Sequence, residues 1–477
     1  MPGDGYTLSP PYAILGIGKF FPVATAMNHV DEAIARYHKL LDTEQFRDLG
    51  WVEQLHEAMR AKHLDLSGKP VSAFLRPHFL TRRQYEALEK GGEALWMAID
   101  RMRQLVLTTP ALLNRLDLLP GERMLAEVNP GYKHFAVTSL FESHINNGSM
   151  RFSHLSAETP VGVLYQDLLS EIFFDAGPMK EFRKRHKLAK IPSVKYLQSA
   201  LLKAYRDFGG RKIANVGILE FKQPFETVES REHQLLAEYL SAHGNPAVVV
   251  SPDQLEFKNG VLRKGEFVID VIYRRVRTHE FLVRYDLTVH PLVRAYREGA
   301  VCLVNSFRSD IAQRRAMLDL LTDESLIAKF PLAERKVIRA FIPITRVMGE
   351  RKVNWGGETV DLMGFVLKNR EKLVLRPNGE SSEMTEFEGA LMDGMQWERA
   401  CKRAIRERYV VQETVAPVTA KFPISVYGMV EMKEMRIDVH PHVCIGKVQS
   451  CSTWLTPATG GFSTAGGVTP TYILEGR

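Results

Sequence analysis

The stretch "KIANVGILEF" (212–221) is an apolar run with the length and composition of a buried β-strand. It is followed by "SREHQLLAEYLSAHG" (230–244), a helical pattern with serine at its start and glycine at its end. A second apolar run, "PAVVV" (246–250), comes next. A strand, a helix and a second strand in this order are typical of a βαβ unit with parallel strands. The chain is therefore predicted to belong to the α/β (α+β) fold class.

Two further strands are predicted downstream by "EFVIDVIYRRV" (266–276) and "AVCLVNSF" (300–307). They extend the βαβ pattern into a Rossmann-like unit over residues 211–308. Upstream, the pattern of residues 135–210 is mainly helical. Residues 30–110 are also predicted to be helical. Within them, Thr81 and Gln84 have the spacing of a capping box at the start of a long amphipathic helix. A capped helix is predicted to begin in "SDIAQRRAMLDLL" (309–321), and the last hundred residues are rich in predicted strands.

Composition indicates an ordinary globular protein with several domains, since 45% of its 477 residues are hydrophobic and 25% are charged. The formal charge of +7 is compatible with a phosphate-bearing ligand, with nucleic acid or with a solvated surface. The basic run "KEFRKRHKLAK" (180–190) has few interleaved aromatic residues, which favours a solvated helix face over a nucleic-acid contact.

The four cysteines lie at positions 302, 401, 444 and 451, without a CxxC pair. They are predicted to be free thiols of a reducing compartment. The sequence shows neither an apolar run long enough to span a bilayer nor a secretory leader. We therefore expect a cytoplasmic protein that binds neither membranes nor nucleic acid.

The segment "RLDLLPGERMLAEVNPG" (115–131) alternates apolar and polar residues on both sides of a Pro-Gly pair, which predicts a β-hairpin. With a three-residue loop, Asp117, Glu127 and Asn129 lie on one face together with Arg115. Two carboxylates and an amide oxygen are ligands of the kind that Mg²⁺ takes. The alternative is a surface hairpin in which Arg115 pairs with Glu127 across the strands.

The pair His440 and His442 in "DVHPH" leaves a similar alternative open. Two histidines on one strand face can ligate a metal, but no third ligand lies nearby in the sequence. A structural or surface role is the alternative.

An ordered series near the C-terminus resembles the nucleotide-binding part of the ATP-grasp superfamily. It comprises "VLRPN" (374–378), a glycine-containing stretch (379–394) and "YVVQE" (409–413). A cation at the end of a strand can meet phosphates, and an extended backbone segment can offer hydrogen bonds to an adenine edge.

More of the chain resembles one branch of that superfamily, the circularly permuted proteins similar to glutathionylspermidine synthase. The resemblance covers roughly residues 60–475, and it implies that the metal ligands precede the nucleotide-binding strands. The stretches that carry it are "RLD…EVN" (115–129), "IDVIYRR" (269–275), "HPLVRAYREGAVCLVNSF" (290–307), "IPITR" (342–346) and "GGVTPTYIL" (466–474).

The resemblance implies four regions. An N-terminal arm and helical region (1–110) precedes a metal-binding hairpin with helices of the ATP-grasp core (111–210). The Rossmann-like unit (211–308) follows, and the nucleotide-binding strands and lid of the core come last (309–477).

The resemblance also implies roles for individual residues. Asp117, Glu127 and Asn129 become Mg²⁺ ligands, and Arg115 stabilises an acyl-phosphate and the tetrahedral intermediate that follows it. The residues implied to contact ATP are Arg274, Arg315, Arg376, Gln412 and Glu413.

The activity implied is ATP- and Mg²⁺-dependent ligation of a small-molecule carboxylate to an amine, such as a peptide or polyamine, through an acyl-phosphate. Two departures from the family pattern point to an alternative, a catalytically degenerate protein that binds a ligand without nucleotide turnover. Arginine replaces the usual lysine at positions 315 and 376, and the loop 379–394 carries Glu380, Glu383 and Glu386.

Overall fold

The structure is a computed structural model of the chain. It describes residues 29–66, 69–146, 149–157, 162–221, 231–379, 385–426, 428–458 and 466–476.

The helices of these ranges are distributed along the whole chain. They are α1 (His29–Leu41), α2 (Glu44–Arg47), α3 (Gly50–Ala61), α4 (Arg82–Thr108), α5 (Pro110–Arg115), α6 (Pro120–Glu127), α7 (Val163–Asp175), α8 (Gly177–Arg183), α9 (Val194–Phe208), α10 (Glu232–Ala242), α11 (Thr278–Arg284), α12 (Pro291–Arg297), α13 (Asp310–Gln313), α14 (Ala316–Leu321), α15 (Glu324–Ile327), α16 (Leu332–Phe341), α17 (Leu362–Lys368) and α18 (Gly394–Arg406).

The strands alternate with these helices in the first three quarters of the chain and dominate its C-terminal part. They are β1 (Asp65–Leu66), β2 (Lys69–Pro70), β3 (His78–Thr81), β4 (Thr138–Asn146), β5 (Ser149–Ser156), β6 (Leu188–Lys190), β7 (Val216–Leu219), β8 (Ala247–Val250), β9 (Glu256–Lys258), β10 (Val261–Lys264), β11 (Phe267–Val268), β12 (Val271–Arg274), β13 (Cys302–Val304), β14 (Thr345–Val347), β15 (Lys352–Trp355), β16 (Glu358–Asp361), β17 (Leu373–Pro377), β18 (Phe387–Glu388), β19 (Tyr409–Glu413), β20 (Thr419–Val426), β21 (Met429–Cys444), β22 (Lys447–Pro457), β23 (Gly467–Thr469) and β24 (Thr471–Leu474).

A four-stranded parallel sheet has the order β13-β12-β7-β8, with α10 between β7 and β8 in the chain. Both of its faces are covered by apolar side chains of the core, as a parallel sheet requires. The predicted βαβ pattern and the mixed α/β fold class are therefore confirmed.

The largest sheet is antiparallel and has the order β23-β22-β21-β4-β5, with β20 pairing with β21. Helix α4 packs on this sheet through a buried apolar stripe that includes Leu88, Ile99 and Val106. The predicted capping box of Thr81 and Gln84 is present at the start of this helix.

A second antiparallel sheet has the order β14-β19-β17-β18, and helices α17 and α18 cover one of its faces. Trp397 of α18 is fully buried there, and its indole N–H donates to the carbonyl of Val366 at 3.0 Å. On the opposite face, the Gln412 side chain reaches the carbonyl of Ser153 in β5 at 3.4 Å. The two antiparallel sheets therefore face each other, and a cavity lined by residues of both, including His144 and Leu373, opens between them; the region between the two sheets is called the cleft below.

Two secondary-structure predictions are wrong. Residues 115–131 form the end of α5, a short connection and α6 rather than a hairpin. Residues 138–156, predicted as mainly helical, form the real hairpin of β4 and β5.

All four cysteines are buried free thiols, as predicted. Within the described ranges, every helix is too short or too polar to cross a membrane.

Gly389, the residue after β18, packs against the backbone of Arg370 just before β17, and we expect the Gly389→Ala substitution to destabilise the protein by about 3 kcal/mol. An added Cβ would lie 2.0 Å from the carbonyl oxygen of Arg370, a backbone atom that cannot turn aside. Gly394→Ala is the matched control, since its Cβ would meet nothing within 4 Å at the start of α18. Thermal unfolding of both variants measures the difference; equal midpoints would contradict the prediction.

Candidate functional site

Two arginines lie at one end of the cleft, one near the end of a strand and the other between two short helices. Arg376 is the fourth residue of β17, and Arg315 lies between α13 and α14, where the helix predicted over 309–321 is interrupted. The guanidinium of Arg315 donates to the carbonyl of Pro377 at 2.9 Å, which brings it to the end of the same strand. The two side chains are 8% and 13% exposed, respectively.

Asn378 is buried, and it fixes this arrangement through hydrogen bonds of its own side chain and backbone. Its side-chain oxygen accepts from the N–H of Ala316 at 2.8 Å, and its side-chain amide donates to the carbonyl of Leu116 at 2.8 Å. Its backbone carbonyl accepts from the N–H of Arg315 at 2.9 Å. The motif "RPN" therefore positions Arg376 by its strand and Arg315 by these bonds.

The two arginines have further polar contacts. Arg376 donates to the side-chain oxygen of Gln412 at 3.1 Å, and Gln412 donates to the Thr345 hydroxyl at 2.9 Å. Glu386 lies 3.3 Å from Nε of Arg376 and 3.8 Å from a guanidinium nitrogen of Arg315. The Nε atoms of both arginines are buried and make no hydrogen bond with any residue in the described ranges. The predicted residues Arg315, Arg376 and Gln412 are thus brought together around a polar centre.

A cavity of about 450 Å³ opens at the other end of β17 and β19. It combines the backbone that follows β19 with aromatic and charged side chains, a mixture suited to a planar, partly polar ligand. Its lining includes Glu413, Thr414, Val415, Leu373, Trp355, Phe365, His144 and Arg151. The predicted residue Glu413 therefore lies at a cavity.

The floor of the cleft is formed by the β4–β5 hairpin and β21, which carry a cluster of acids and histidines. Nδ1 of His154 lies 3.5 Å from Glu142, and Nδ1 of His144 lies 2.7 Å from Asp438. Burial opposes ionisation of Glu142, but its hydrogen bond with His154 and the charges of Arg315 and His440 hold its pKa well below its usual range. Glu142 is therefore a carboxylate at neutral pH.

The pKa of Asp438 is lowered in a similar way. Burial opposes its ionisation, whereas the hydrogen bond with His144 and the charge of Arg436 lower its pKa. Burial lowers the pKa of His442 to about 3, so this histidine is neutral, and it pairs with the Ser452 hydroxyl at 3.0 Å. The structural role that the sequence left open for His442 agrees with this burial.

Arg274, predicted to contact ATP, is fully buried inside the Rossmann-like unit. It donates to Asp310 at 2.7 Å and to the Thr278 hydroxyl at 2.6 Å. Its guanidinium also donates to the carbonyl of Asn305 at 3.0 Å. These contacts give Arg274 a structural role in this conformation, which corrects the prediction that it faces the phosphates.

Arg115, predicted to stabilise the acyl-phosphate, lies in another charge cluster. It contacts Asp323 at 3.2 Å and Asp319 at 3.4 Å, and the buried Asp319 also lies 3.7 Å from Arg346. The carboxylate of Asp319 is shared by Arg115, Arg346 and Arg351, so the charge of Arg115 is only partly balanced.

The three predicted metal ligands have separate partners. Asp117 pairs with Arg408 at 3.0 Å, and the exposed Glu127 pairs with Arg123 at 3.4 Å, one helical turn earlier. The side-chain oxygen of the exposed Asn129 accepts from the N–H of Gly131 at 3.1 Å. The helical conformation of 120–127 removes the common strand face on which the prediction depended.

A magnesium site is not formed by these residues. In the part of the chain that the structure describes, no group of three or more histidine, cysteine or acidic side chains has an arrangement that could hold a metal ion. The predicted ligands do not fit Mg²⁺ in this structure, so we assign no chemical step to a metal.

The cleft floor was missed by the sequence analysis, although "SLFESHIN" and "SMRFSHLS" alternate on either side of Asn147 and Gly148. This is a stronger hairpin signal than Pro120-Gly121, because an Asn-Gly pair suits a two-residue hairpin turn. Applied here, the same rule would have placed Glu142, His144 and His154 on one hairpin.

Comparison with solved structures finds a glutathione synthetase-like effector from Globodera pallida, with 12% identity and a TM-score of 0.53. The similarity covers 89% of this chain and 97% of that chain. The chain shares this protein's fold. The match shows the fold alone; the relation to the ATP-grasp superfamily, the permuted order of the core and the similarity to glutathionylspermidine synthase remain predictions.

Two other structural similarities are weaker. A putative γ-glutamylcysteine synthetase from Methylobacillus flagellatus KT has 10% identity and a TM-score of 0.41, over 81% of this chain and 86% of that one. A RimK domain ATP-grasp protein from Sphaerobacter thermophilus DSM 20745 has 15% identity and a TM-score of 0.27, over 54% and 90%. No family model matches the sequence, and no curated protein matches it.

Proposed function

We propose that the protein binds ATP in the cleft between its two antiparallel sheets and uses it to join a carboxylate to an amine. The observation that carries this proposal is the convergence of Arg315, Arg376 and Gln412 on one polar centre. Strands β17 and β19 connect that centre with the cavity beside Glu413. Arginines suit phosphates, and the backbone after β19 suits an adenine edge.

The reaction proposed has two steps. A carboxylate oxygen of the first substrate attacks the γ-phosphorus of ATP, and ADP leaves with the electrons of the broken P–O bond. The amine nitrogen of the second substrate then attacks the acyl carbon, loses a proton, and displaces phosphate. The substrates we propose are small molecules, with a peptide or polyamine as the amine, as in enzymes similar to glutathionylspermidine synthase.

The role of the protein in these steps is to bind ATP and to orient it toward the substrates. The guanidinium groups of Arg315 and Arg376 bind the phosphates and stabilise the negative charge that builds on the leaving ADP. The proposed mechanism requires no nucleophile from the protein.

A second candidate function is ligand binding without nucleotide turnover. It is favoured by the separate partners of Asp117, Glu127 and Asn129. Both candidates share the nucleotide cleft. They differ in whether the bound ATP is converted to ADP.

Thermal unfolding with ATP, measured with and without Mg²⁺, tests the shared part of the proposal. A ligand that binds only the folded protein stabilises it by about 1.4 kcal/mol at a tenfold excess over its Kd. We expect the unfolding midpoint to rise with the logarithm of ATP concentration. A midpoint that ATP leaves unchanged under both conditions would show that the cleft is not a nucleotide site.

An ADP-release assay over pairs of carboxylates and amines then separates the two candidates. Release that depends on both partners supports the ligase. ATP binding without release for any pair supports the protein without turnover.

A further inference from the structure

Glu386 stands opposite Arg376 because of the register of two strands. In the β17–β18 pair, Glu388 is opposite Val374 and Phe387 is opposite Leu375. The same antiparallel register, continued by one residue, sets Glu386 opposite Arg376. Their 3.3 Å contact is therefore a cross-strand ion pair.

The backbone on both sides of Glu386 is held in place. The Tyr409 hydroxyl donates to the carbonyl of Thr385 at 3.0 Å, and the ring of Phe387 lies 5.7 Å from the ring of Tyr409. Strand β19, which carries Tyr409, also carries Gln412 of the polar centre. These contacts fix the backbone that places the Glu386 carboxylate beside the two arginines.

We propose that Glu386 is an internal competitor of the nucleotide, whose carboxylate occupies the position on Arg315 and Arg376 that phosphate oxygens take in the bound state. This inference rests on the proposed nucleotide binding and adds a regulatory contact to the same site. Carboxylate and phosphate oxygens match the same guanidinium donors, so both groups cannot fully occupy the pair of arginines. Binding of ATP therefore requires the Glu386 side chain to leave.

Displacement is feasible because the Glu386 side chain is 42% exposed and its ion pair is partly screened by water. A triphosphate carries more negative charge than one carboxylate, so at sufficient concentration it displaces the Glu386 carboxylate from the arginines. The cost of displacement weakens the apparent affinity for every phosphate-bearing ligand and leaves the adenine end of the cleft unaffected.

The substitution Glu386→Gln removes the charge and keeps the shape of the side chain. We expect it to tighten ATP binding about fivefold, the size that a partly exposed ion pair can supply. Glu388→Gln is the matched control, because Glu388 lies on the same strand opposite the apolar Val374. Isothermal titration with ATP, tripolyphosphate and adenosine distinguishes the phosphate end of the cleft from the adenine end.

The proposal requires tighter binding of ATP and tripolyphosphate to Glu386→Gln, with unchanged adenosine binding and an unchanged Glu388→Gln control. Equal ATP affinity of the wild-type protein and Glu386→Gln would overturn it while leaving nucleotide binding intact. An equal gain in adenosine affinity would also overturn it, because the effect would then not act through phosphate. Absence of ATP binding to either protein would instead reject the nucleotide site itself.

Discussion

The Arg274→Met substitution is expected to destabilise the protein by about 3 to 5 kcal/mol, because it leaves the carboxylate of Asp310 buried without its cation. The Arg274 side chain is fully buried and that of Asp310 is 7% exposed. The guanidinium also ties Thr278 to the turn after β13 through the carbonyls of Asn305 and Ser306. Urea denaturation followed by circular dichroism measures the loss.

The double variant Arg274→Met with Asp310→Leu is the control for this prediction. It removes both charges and should recover part of the stability lost in the single variant, since a buried ion pair replaced by apolar groups is often tolerated. A single variant that keeps its stability but loses ATP binding would return Arg274 to the phosphate-contacting role that the family resemblance implies.

The parallel unit could be predicted because its strands are buried on both faces. Such strands are nearly continuous apolar runs, and "KIANVGILEF" or "AVCLVNSF" needs no knowledge of distant residues to be recognised. The same holds for "VLRPN" and "YVVQE", which form β17 and β19 as predicted. These two strands position Arg376, Gln412 and Glu413, which are three of the four predicted site residues that the structure brings to the cleft; Arg315 is the fourth.

The segment 115–131 could not be predicted correctly because its sequence suits two structures. Pro120 is compatible with a turn, but it is also favoured in the first turn of a helix, where its missing N–H costs nothing. Glu122 then accepts from the N–H of Leu119 at 2.8 Å at the start of α6. At the other end, Arg308 donates to the carbonyls of Ala126 at 3.0 Å and Glu127 at 2.8 Å. This partner lies far away in the sequence, so local patterns do not reveal it.

The hairpin of β4 and β5 illustrates how distant pairing decides secondary structure. Its strand β4 pairs with β21, for example Ser143 with Val439, across nearly three hundred residues of sequence. Tertiary contacts of this kind override local propensity. Local patterns therefore do not bring Glu142 and His154 together, although the pairing of β4 with β5 sets them opposite each other.

The proposed phosphate contacts of the cleft are made by arginines, so the removal of one arginine tests them. We expect Arg376→Ala to weaken ATP binding about 30-fold, since a hydrogen bond to a charged group contributes about 2 kcal/mol. Arg376→Lys should lose less, because it keeps the charge but not the fork that two phosphate oxygens can share. Isothermal titration with ATP and with adenosine measures both variants.

The control for Arg376 is Arg399→Ala on the exposed face of α18, where Arg399 contacts only a main-chain carbonyl among the described residues. It removes the same charge and should leave ATP binding unchanged. A loss of adenosine binding in Arg376→Ala equal to the loss of ATP binding would contradict a phosphate contact and indicate local unfolding of the sheet.

The Arg376 and Glu386 substitutions are expected to be non-additive. In the wild-type protein, Arg376 both attracts phosphate and holds the competing carboxylate, so its removal also releases Glu386 beside the remaining Arg315. In the Glu386→Gln background, Arg376 has lost its competing partner and contacts the phosphates without first releasing a carboxylate. Arg376→Ala should therefore cost more ATP affinity in that background than in the wild type, and a double-mutant cycle measures the difference. Strict additivity would mean that Arg376 does not exchange one anion for the other.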